Sequence, residues 1–562
     1  MSHQHNNKFE TFVFNVLNNK AKTTMILILF VILLLGSFMM FPTKIVLAKM
    51  LPGKSANTFT VYVDTPSGSS IEQTKNVSAC VTDILQKEKE VTDIEVFLGQ
   101  GSLLDYAGLV KGSAMKMGEQ YSEIVVNLTD KHSRDEKSFN IVQRVRPIIQ
   151  KECIPMVSGT SIKMVEMPAG PPTLAAIVVE VYGKDNQKVI ALSHEVASIL
   201  NKTDGLVDVD VMADESYNKF ELIPIKDKIS KSGLSVEQVN QILYLAFEGM
   251  GVAVKNTIDL NDQIAIFVSL NEESQTLRSN TLLSIKTKLS QLNLMNKMGM
   301  MVPLTEVVEI KEIKSSPMIY HKNLKPMVNV VAEADMVSQV YPLLDAREKM
   351  MDYFAKDYEV SKIPSITTYM FDLNLIDKKS GEKYLLRWDG EMKVTLDTFK
   401  ELGAAFIAAL ILIFLLLVIY YKSFALSGIV LGGSFLSIIG VIIGHWVADL
   451  VTTETFFLTA TSLIGFIALI GISSRNSLLL IDFAKSLIEE KHIEKRRAIA
   501  IASATRAKPI MLTAIAIILG SALLASDPIF GGLGVALISG TVAAVIVSLL
   551  FIPILMDKTK AI

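Results

Sequence analysis

Six runs of apolar residues, one near the start of the chain and five crowded at its end, constrain this sequence more than any other feature. About 20 apolar residues, at about 1.5 Å rise each, cross a hydrocarbon layer about 30 Å thick. Thr23–Phe41 (TTMILILFVILLLGSFMMF) is the first such run. Leu402–Tyr420, Ser427–Val447, Phe456–Ile481, Pro509–Ala525 and Leu533–Met556 are the others. The pattern predicts an α-helical integral membrane protein with six transmembrane helices, one plus five. The stretch after the first run, PTKIVLAKMLPGK, has no small-x-small cleavage site, so that run reads as a retained anchor rather than a signal peptide.

Composition agrees with this and narrows the function classes. Half of the 562 residues are hydrophobic and 20% are charged, and mean hydropathy is +0.39. Disorder requires the opposite balance. Lys+Arg is 55 and Asp+Glu is 57, for a net charge of −2. A nucleic-acid-binding chain would carry a basic excess. Basic residues also orient the helices. Lys8, Lys20 and Lys22 precede the first run, Lys422 follows the second, and Lys485 to Lys508 include seven basic residues between the fourth and fifth. The loops Asp449–Thr455 and Ser526–Gly532 contain no Lys or Arg. Both ends are therefore expected in the cytoplasm, and the segment from about Pro42 to Lys400 on the other side.

That outer segment alternates strand and helix patterns. Thr58–Asp64 (TFTVYVD) reads as a strand, Ile71–Glu88 as an amphipathic helix and Val91–Phe97 (VTDIEVF) as a second strand. A strand at Ser122–Leu128, a helix at Ser138–Gln150 and a strand at Ser161–Met167 complete a β-α-β-β-α-β series. Ala176–Tyr182 (AIVVEVY) starts the same events again, with a helix carrying Leu192, Val196, Ile199 and Leu200, then the strand Leu206–Val211. This predicts an internal duplication, with MPAGPP (Met167–Pro172) as a stiff linker. Ser235 to Gln238 forms a capping box for a helix to about Glu248. An insertion at about Met250–Ile313 follows, and the second unit resumes with the strand Met327–Ala334 and a helix near Tyr341–Tyr353.

Arg475 lies six residues before the end of the fourth apolar run. An arginine there costs a few kcal/mol unless it is paired or hydrated. It either snorkels to the headgroups or sits deeper and needs an acid. Every acid near the runs (Glu401, Asp449, Glu454, Asp482, Asp527, Asp557) lies at a run end. A buried Arg475 would therefore take its counter-charge from another chain. Ser473, Ser474 and Thr513 offer hydroxyls suited to packing, back-bonding or a relay. His445, beside Trp446, reads as an interfacial residue in an aromatic belt, with a proton carrier as the alternative.

The stretch TATSLIGFIALIGISSRNSLLLIDFAK (Thr459–Lys485) resembles a helix of the resistance-nodulation-division (RND) efflux permeases of the hydrophobe/amphiphile type. ATRAKPIMLTAIAIILG and DPIFGGLGVALISGTVAAVIVSLLFIPIL resemble the two helices that follow it. FTVYVDTPSGSSIEQT, VEMPAGPPTLAAIVVEVYG and SSPMIYHKNLKPMVNVVAEAD resemble the second half of that family's porter region. The resemblance runs nearly the whole length, in the family's order. Such permeases have twelve spans in two similar halves, and this chain resembles the second. The first half carries paired mid-membrane aspartates, and the second supplies a basic residue facing them. By its place in GISSRN, Arg475 matches that basic position, beside Asn476. Arg506 and Thr513 match auxiliary proton-relay positions. The resemblance also places a substrate pocket at Phe97, Leu104, Tyr106 and Leu109, side chains that core packing would explain equally.

The division expected from this resemblance is a cytoplasmic tail (1–22), a first transmembrane helix (23–42), a first porter subdomain (43–172), a second one (173–249 and 314–400) interrupted by a docking-type insertion (250–313), transmembrane helices two to six (401–556) and a cytoplasmic tail (557–562). The implied protein is a half-size subunit of a proton-driven efflux transporter in an inner membrane, exporting hydrophobic or amphiphilic compounds. It would need a partner N-terminal-half chain, a periplasmic adaptor and an outer-membrane channel, in a three-fold assembly, with the proton gradient and no cofactor. The competing reading is a non-transporting remnant or assembly subunit of a split or truncated pump. Met295, Met298, Met300 and Met301 either fill flexible contacts or bind Cu(I) for copper or silver efflux. A SecF-like chain has six spans but a far smaller outer domain. Cys80 and Cys153 are expected as two buried thiols rather than a disulfide, and Ile488–Ala498 as a solvated amphipathic helix. No motif of an enzyme occurs.

Overall fold

The computed structural model describes residues 8–53, 55–103, 106–113, 116–166, 170, 173–258, 263–270, 281–335, 338–362, 368–452 and 455–561. The chain forms two compact units. One comprises Met1–Ala213 with Ile319–Ile562, and the other is Asp214–Met318.

Six helices among the described residues are long and apolar enough to cross a membrane. They are Lys20–Met39, Glu391–Tyr421, Phe424–Val451, Ala460–Glu489, Lys495–Ala525 and Gly531–Lys558. Side-chain caps set several starts. Asn19 accepts from the backbone N–H of Ala21 and Lys22, Ser423 from that of Leu426, and Thr459 from that of Ser462. Gly440 and Gly444 of the third helix, one turn apart, press against Ala543 and Ser539 of the sixth. A Cβ on either would come within 2.4 Å of those side chains, so small residues let the two backbones approach.

Three expectations for this bundle are corrected. The fifth helix starts at Lys495 rather than Pro509, which lies inside it. Proline removes one N–H from the ladder and crowds the carbonyl one turn back, yet the helix runs through it. Ile488–Ala498 is consequently the end of the fourth helix, a turn with His492 at φ 53°, and the start of the fifth. The N-terminal segment is not a plain tail. Lys8–Asn18 is a helix whose Val13, Val16 and Leu17 join the buried cluster of Ala498, Ile499 and Ala502.

Outside the bundle, the first sheet contains β1 (Thr58–Asp64), β2 (Val91–Gln100), β3 (Met117–Leu128) and β4 (Ser161–Glu166), in the order β2-β3-β1-β4 with every neighbour antiparallel. Helices Ile71–Leu85 and Ser138–Cys153 cover one face, and Val61, Val63, Ile124, Val126, Val81 and Val145 are fully buried there. Each such side chain contributes about 1.5–3 kcal/mol. Both helices lie over the same face, so Cys80 and Cys153 meet. They form a disulfide, with a Cα–Cα separation of 5.7 Å. This corrects the two-thiol expectation, because a spacing of 73 residues in sequence carries no information on proximity until the topology is known.

The second sheet repeats the arrangement. β6 (Leu206–Met212) pairs with Lys325–Ala334, which pairs with β5 (Ile177–Tyr182), which pairs with Lys383–Asp389. Helices Asn186–Asn201 and Val340–Phe354 bury Val196, Leu200, Leu343 and Phe354 against it. Salt bridges join the two sheets. Lys163 on β4 bonds Asp210 on β6 and Arg146 bonds Asp208 at 3.2 Å, while within the first subdomain Lys163 and Lys116 hold Asp64 at 2.7 and 2.8 Å.

The separate unit is wider than the expected insertion at 250–313. The strands Asn218–Pro224 and Val308–Lys314 pair along their whole length and enclose it. Its core contains Ile229, Val239, Leu289, Leu304 and Val307. Ser235 and Gln238 form the expected capping box on Val236–Phe247. Met295, Met298, Met300 and Met301 stand exposed on a hairpin. The linker Met167–Pro172 lies outside the described residues except for Gly170.

Candidate functional site

Arg475 follows the first residue of the fourth apolar helix, Ala460, by 15 positions and precedes the last, Glu489, by 14. It is therefore about 20 Å along the axis from either end. Its helical face is open. Ile464, Ala468, Gly471, Arg475 and Leu479 are all exposed on one stripe of the bundle, and beyond Gly471 there is empty space. Small residues on either side of the arginine leave room for a neighbouring helix to come close. Among the described residues, the ion pair of this helix is Lys485–Glu489 at 3.6 Å, and Arg475 has none. Asp482, the acid closest to it on the helix, accepts a hydrogen bond from the Tyr420 hydroxyl at 3.0 Å.

The other expected relay residues are scattered. Asn476 is buried within the bundle, at 4% exposure. The Arg506 guanidinium lies 4.8 Å from the centre of the Phe483 ring, a cation–π contact, and its Nε is buried without a partner. The Thr513 hydroxyl donates back to the carbonyls of Ile510 at 2.9 Å and Pro509 at 3.2 Å. The structure thus puts Arg475 and Arg506 on adjacent packed helices but joins none of these residues by a hydrogen bond.

His445 faces into the bundle, at the start of the fourth helix. It is fully buried because the third helix continues to Val451 and turns this residue toward the fourth. Nδ1 lies 2.7 Å from the Val441 carbonyl and Nε2 lies 2.8 Å from Ser462 Oγ. A carbonyl only accepts, so Nδ1 carries a proton. Ser462 Oγ in turn accepts from the Thr459 N–H at 3.0 Å. These contacts tie the third helix to the cap of the fourth.

A cleft of about 220 Å³ lies on the face of the first sheet that the two helices leave open. Strand alternation puts its residues there. The register aligns Phe97, Glu123 and Tyr62 across β2, β3 and β1, and aligns Glu95, Val125, Thr60 and Val165 in the next row. At Gly99 the chain takes φ 73° within a register shift between Leu98 and Gln100, which only glycine adopts freely. The chain then turns across the cleft through Ser102, Leu103 and the short helix Tyr106–Lys111. Glu123 Oε2 accepts the Ser102 N–H at 2.9 Å and Oε1 accepts its hydroxyl at 2.7 Å. Lys111 reaches out of the cleft to Glu333 at 3.3 Å. Burial pushes the Glu166 carboxyl up to about 7 against the opposing pull of a Ser138 hydrogen bond and of Arg146, Lys49 and Arg134.

Of the expected pocket residues, Phe97 lines this cleft. Leu109 is 50% exposed and is not part of the lining. Leu104 lies outside the described residues, and so does the side chain of Tyr106. Glu95, Glu123, Glu166 and Lys111 were missed. The polar half of the alternation in VTDIEVF and SEIVVNL was the signal for Glu95 and Glu123; Lys111 and Glu166 lie outside those stretches.

These features define a class first, a multi-helix membrane protein with a duplicated α+β region outside the bundle. Sequence comparison then gives the family. The AcrB/AcrD/AcrF family model matches residues 1–361 and 372–558, and the chain belongs to that family of RND-superfamily permeases. It is 24% identical over 540 residues to the Swarming motility protein SwrC of Bacillus subtilis (strain 168), covering 94% of this chain and 45% of that protein. It is 20% identical over 565 residues to the Multidrug export protein AcrF of Escherichia coli (strain K12), covering 98% and 48%. A crystal structure of a heavy metal efflux pump superposes with a TM-score of 0.71 at 16% identity, over 98% of this chain and 52% of that one. The chain spans about half the length of the relatives it matches.

Proposed function

We propose that this chain is the second-half subunit of a proton-driven RND efflux transporter for hydrophobic or amphiphilic compounds, working with a first-half partner that brings the proton-binding acids. The observation that carries this reading is Arg475, at mid-helix on an open face, without an anion among the described residues of its own chain. A carboxylate on a helix docked along the stripe of Ala468 and Gly471 would satisfy it. Protonation of that carboxylate weakens its attraction to the guanidinium and lets the helices shift. A transition of this kind needs an interaction that differs between the two states, and an arginine–carboxylate contact in low dielectric supplies it.

The two sheets, each in the order second-third-first-fourth, are read as ferredoxin-like porter subdomains moved by that shift. The Cys80–Cys153 disulfide is consistent with an oxidising periplasm around them, and with both termini in the cytoplasm. We read Asp214–Met318 as the docking unit, toward a periplasmic adaptor and an outer-membrane channel in a three-fold assembly. The expected result for Arg475→Ala is loss of export with the protein still inserted in the membrane. Wild-type solute tolerance in cells carrying that variant refutes the reading.

A further inference from the structure

A groove of about 710 Å³ runs between the first, third and sixth apolar helices. The first helix meets the bundle along a narrow seam, its buried residues being Thr23, Phe30 and Ser37 at seven-residue intervals. Ile26, Leu29 and Leu33 stand beside that seam and form one wall. The third and sixth helices form the floor, drawn together where Gly440 and Gly444 meet Ala543 and Ser539. Toward Lys558 the sixth helix widens into a π turn over Val547–Phe551, and Val547 and Leu550 of that turn line the groove. Such turns recur at functional sites.

The lining calls for hydrocarbon. Ser539 is its one polar side chain, and that hydroxyl donates back to the Val535 carbonyl at 2.6 Å. A ligand that buried polar atoms here would find no partner for them. Size decides between a helix and a lipid. The third helix lines the groove from Leu436 to Val451, about 22 Å along its axis. A helix about 10 Å across fills about 1,700 Å³ over that length. An extended hydrocarbon chain, about 4–5 Å across at carbon contact distance, fills about 400 Å³. The groove is too shallow to seat a helix and has room for acyl chains. Charge then picks the headgroup. Lys22, Ile26, Leu29 and Leu33 follow at i, i+4, i+7 and i+11, so the exposed lysine stands at the foot of the groove's own wall. The other end carries an acid instead, Asp449, next to the lining residue Ala448.

We propose that this groove binds one anionic phospholipid from the leaflet on the Lys22 side, with its phosphate at Lys22 and its acyl chains along Leu29, Leu33, Val542 and Ile546. This rests on the placement of the helices in a membrane and not on the transport reading. The purified full-length chain, stripped of lipid, is titrated with dioleoyl phosphatidylglycerol and, separately, with dioleoyl phosphatidylcholine, which has the same chains and no net charge. Native mass spectrometry counts what each chain retains. One phosphatidylglycerol is expected to stay bound at concentrations where phosphatidylcholine does not. Lys22→Gln is expected to weaken phosphatidylglycerol about fivefold and leave phosphatidylcholine unchanged. Val542→Trp fills the middle of the groove and is expected to weaken binding by at least about tenfold. Leu519→Trp, on the exposed face of the fifth helix, and Arg475→Ala are expected to bind as wild type, so this site and the proton site are read independently. A photo-crosslinker at Ile546 in native membranes is expected to capture phospholipid. Equal retention of the two lipids, unchanged phosphatidylglycerol binding in the Lys22→Gln, Val542→Trp double variant, or capture of a protein at Ile546 instead of lipid overturns the proposal.

Discussion

Asp482 accepts the Tyr420 hydroxyl at 3.0 Å and lies seven residues, about 10 Å, beyond Arg475 on the same helix. Helical neighbours are three or four residues apart, so the acid closest to the arginine along the chain points elsewhere and is already engaged. On the proposed reading, Arg475 takes its anion from a partner helix rather than from Asp482. Arg475→Lys keeps a positive charge and is expected to retain part of the export activity, whereas Arg475→Ala and Arg475→Gln abolish it. Solute tolerance of cells carrying each variant, with membrane abundance measured in parallel, separates lost function from lost protein.

The disulfide clamps the two helices of the first sheet across a span of 73 residues. Closing a loop of that length stabilises the folded state by about 2–4 kcal/mol. Cys80→Ser is expected to lower the unfolding temperature of the outer region and speed its proteolysis without blocking insertion of the helix bundle. Without reductant, no thiol of the wild-type chain should react with a maleimide under denaturing conditions.

Lys163 stands between Asp64 and Asp210 and so couples the two sheets. Burial alone would raise the Asp64 carboxyl, but Lys163 and Lys116 outweigh it and hold the carboxyl at about 2. Its stabilising contribution is therefore complete above the ordinary carboxylate range and is lost as pH falls through that range toward 2. Removing one partner from such a buried set costs about 3–5 kcal/mol. Lys163→Met is expected to loosen the β4–β6 contact, detected as faster hydrogen exchange in both strands, while exchange within the helix bundle is unchanged.

Glu166 behaves in the opposite sense. Its folded carboxyl titrates at about 7 against 4.5 for the free group. Between those values the folded protein keeps a proton that the unfolded chain has released, so stability falls as pH rises through this window. The full difference is about 3 kcal/mol above pH 7. Glu166→Gln is expected to flatten the stability of the outer region between about pH 5 and pH 8. A thermal-shift profile that keeps its slope in this variant assigns the slope to another group.

The helix bundle and the two sheets were legible because their signals are local. Apolar runs such as Thr23–Phe41 show their length, and strands such as TFTVYVD show period two. The family resemblance singled out Arg475, and the sequence showed that no acid lies within the apolar runs. What escaped depends on contacts distant in sequence. Cys80 and Cys153 meet only because two helices share a face. His445 is buried only because the fourth helix presents Ser462 to it. Glu123 becomes part of a cleft only when Ser102 folds back over β3. Helix ends were missed where one residue type has two meanings, as Pro509 does inside the fifth helix.

The central claim, that Arg475 works against an acid this chain does not carry, is tested most directly by reconstituting the purified chain alone in proteoliposomes and recording substrate-dependent proton movement across an imposed pH gradient. The account predicts no coupled proton flux under these conditions. Sustained flux that depends on both substrate and Arg475 would contradict it.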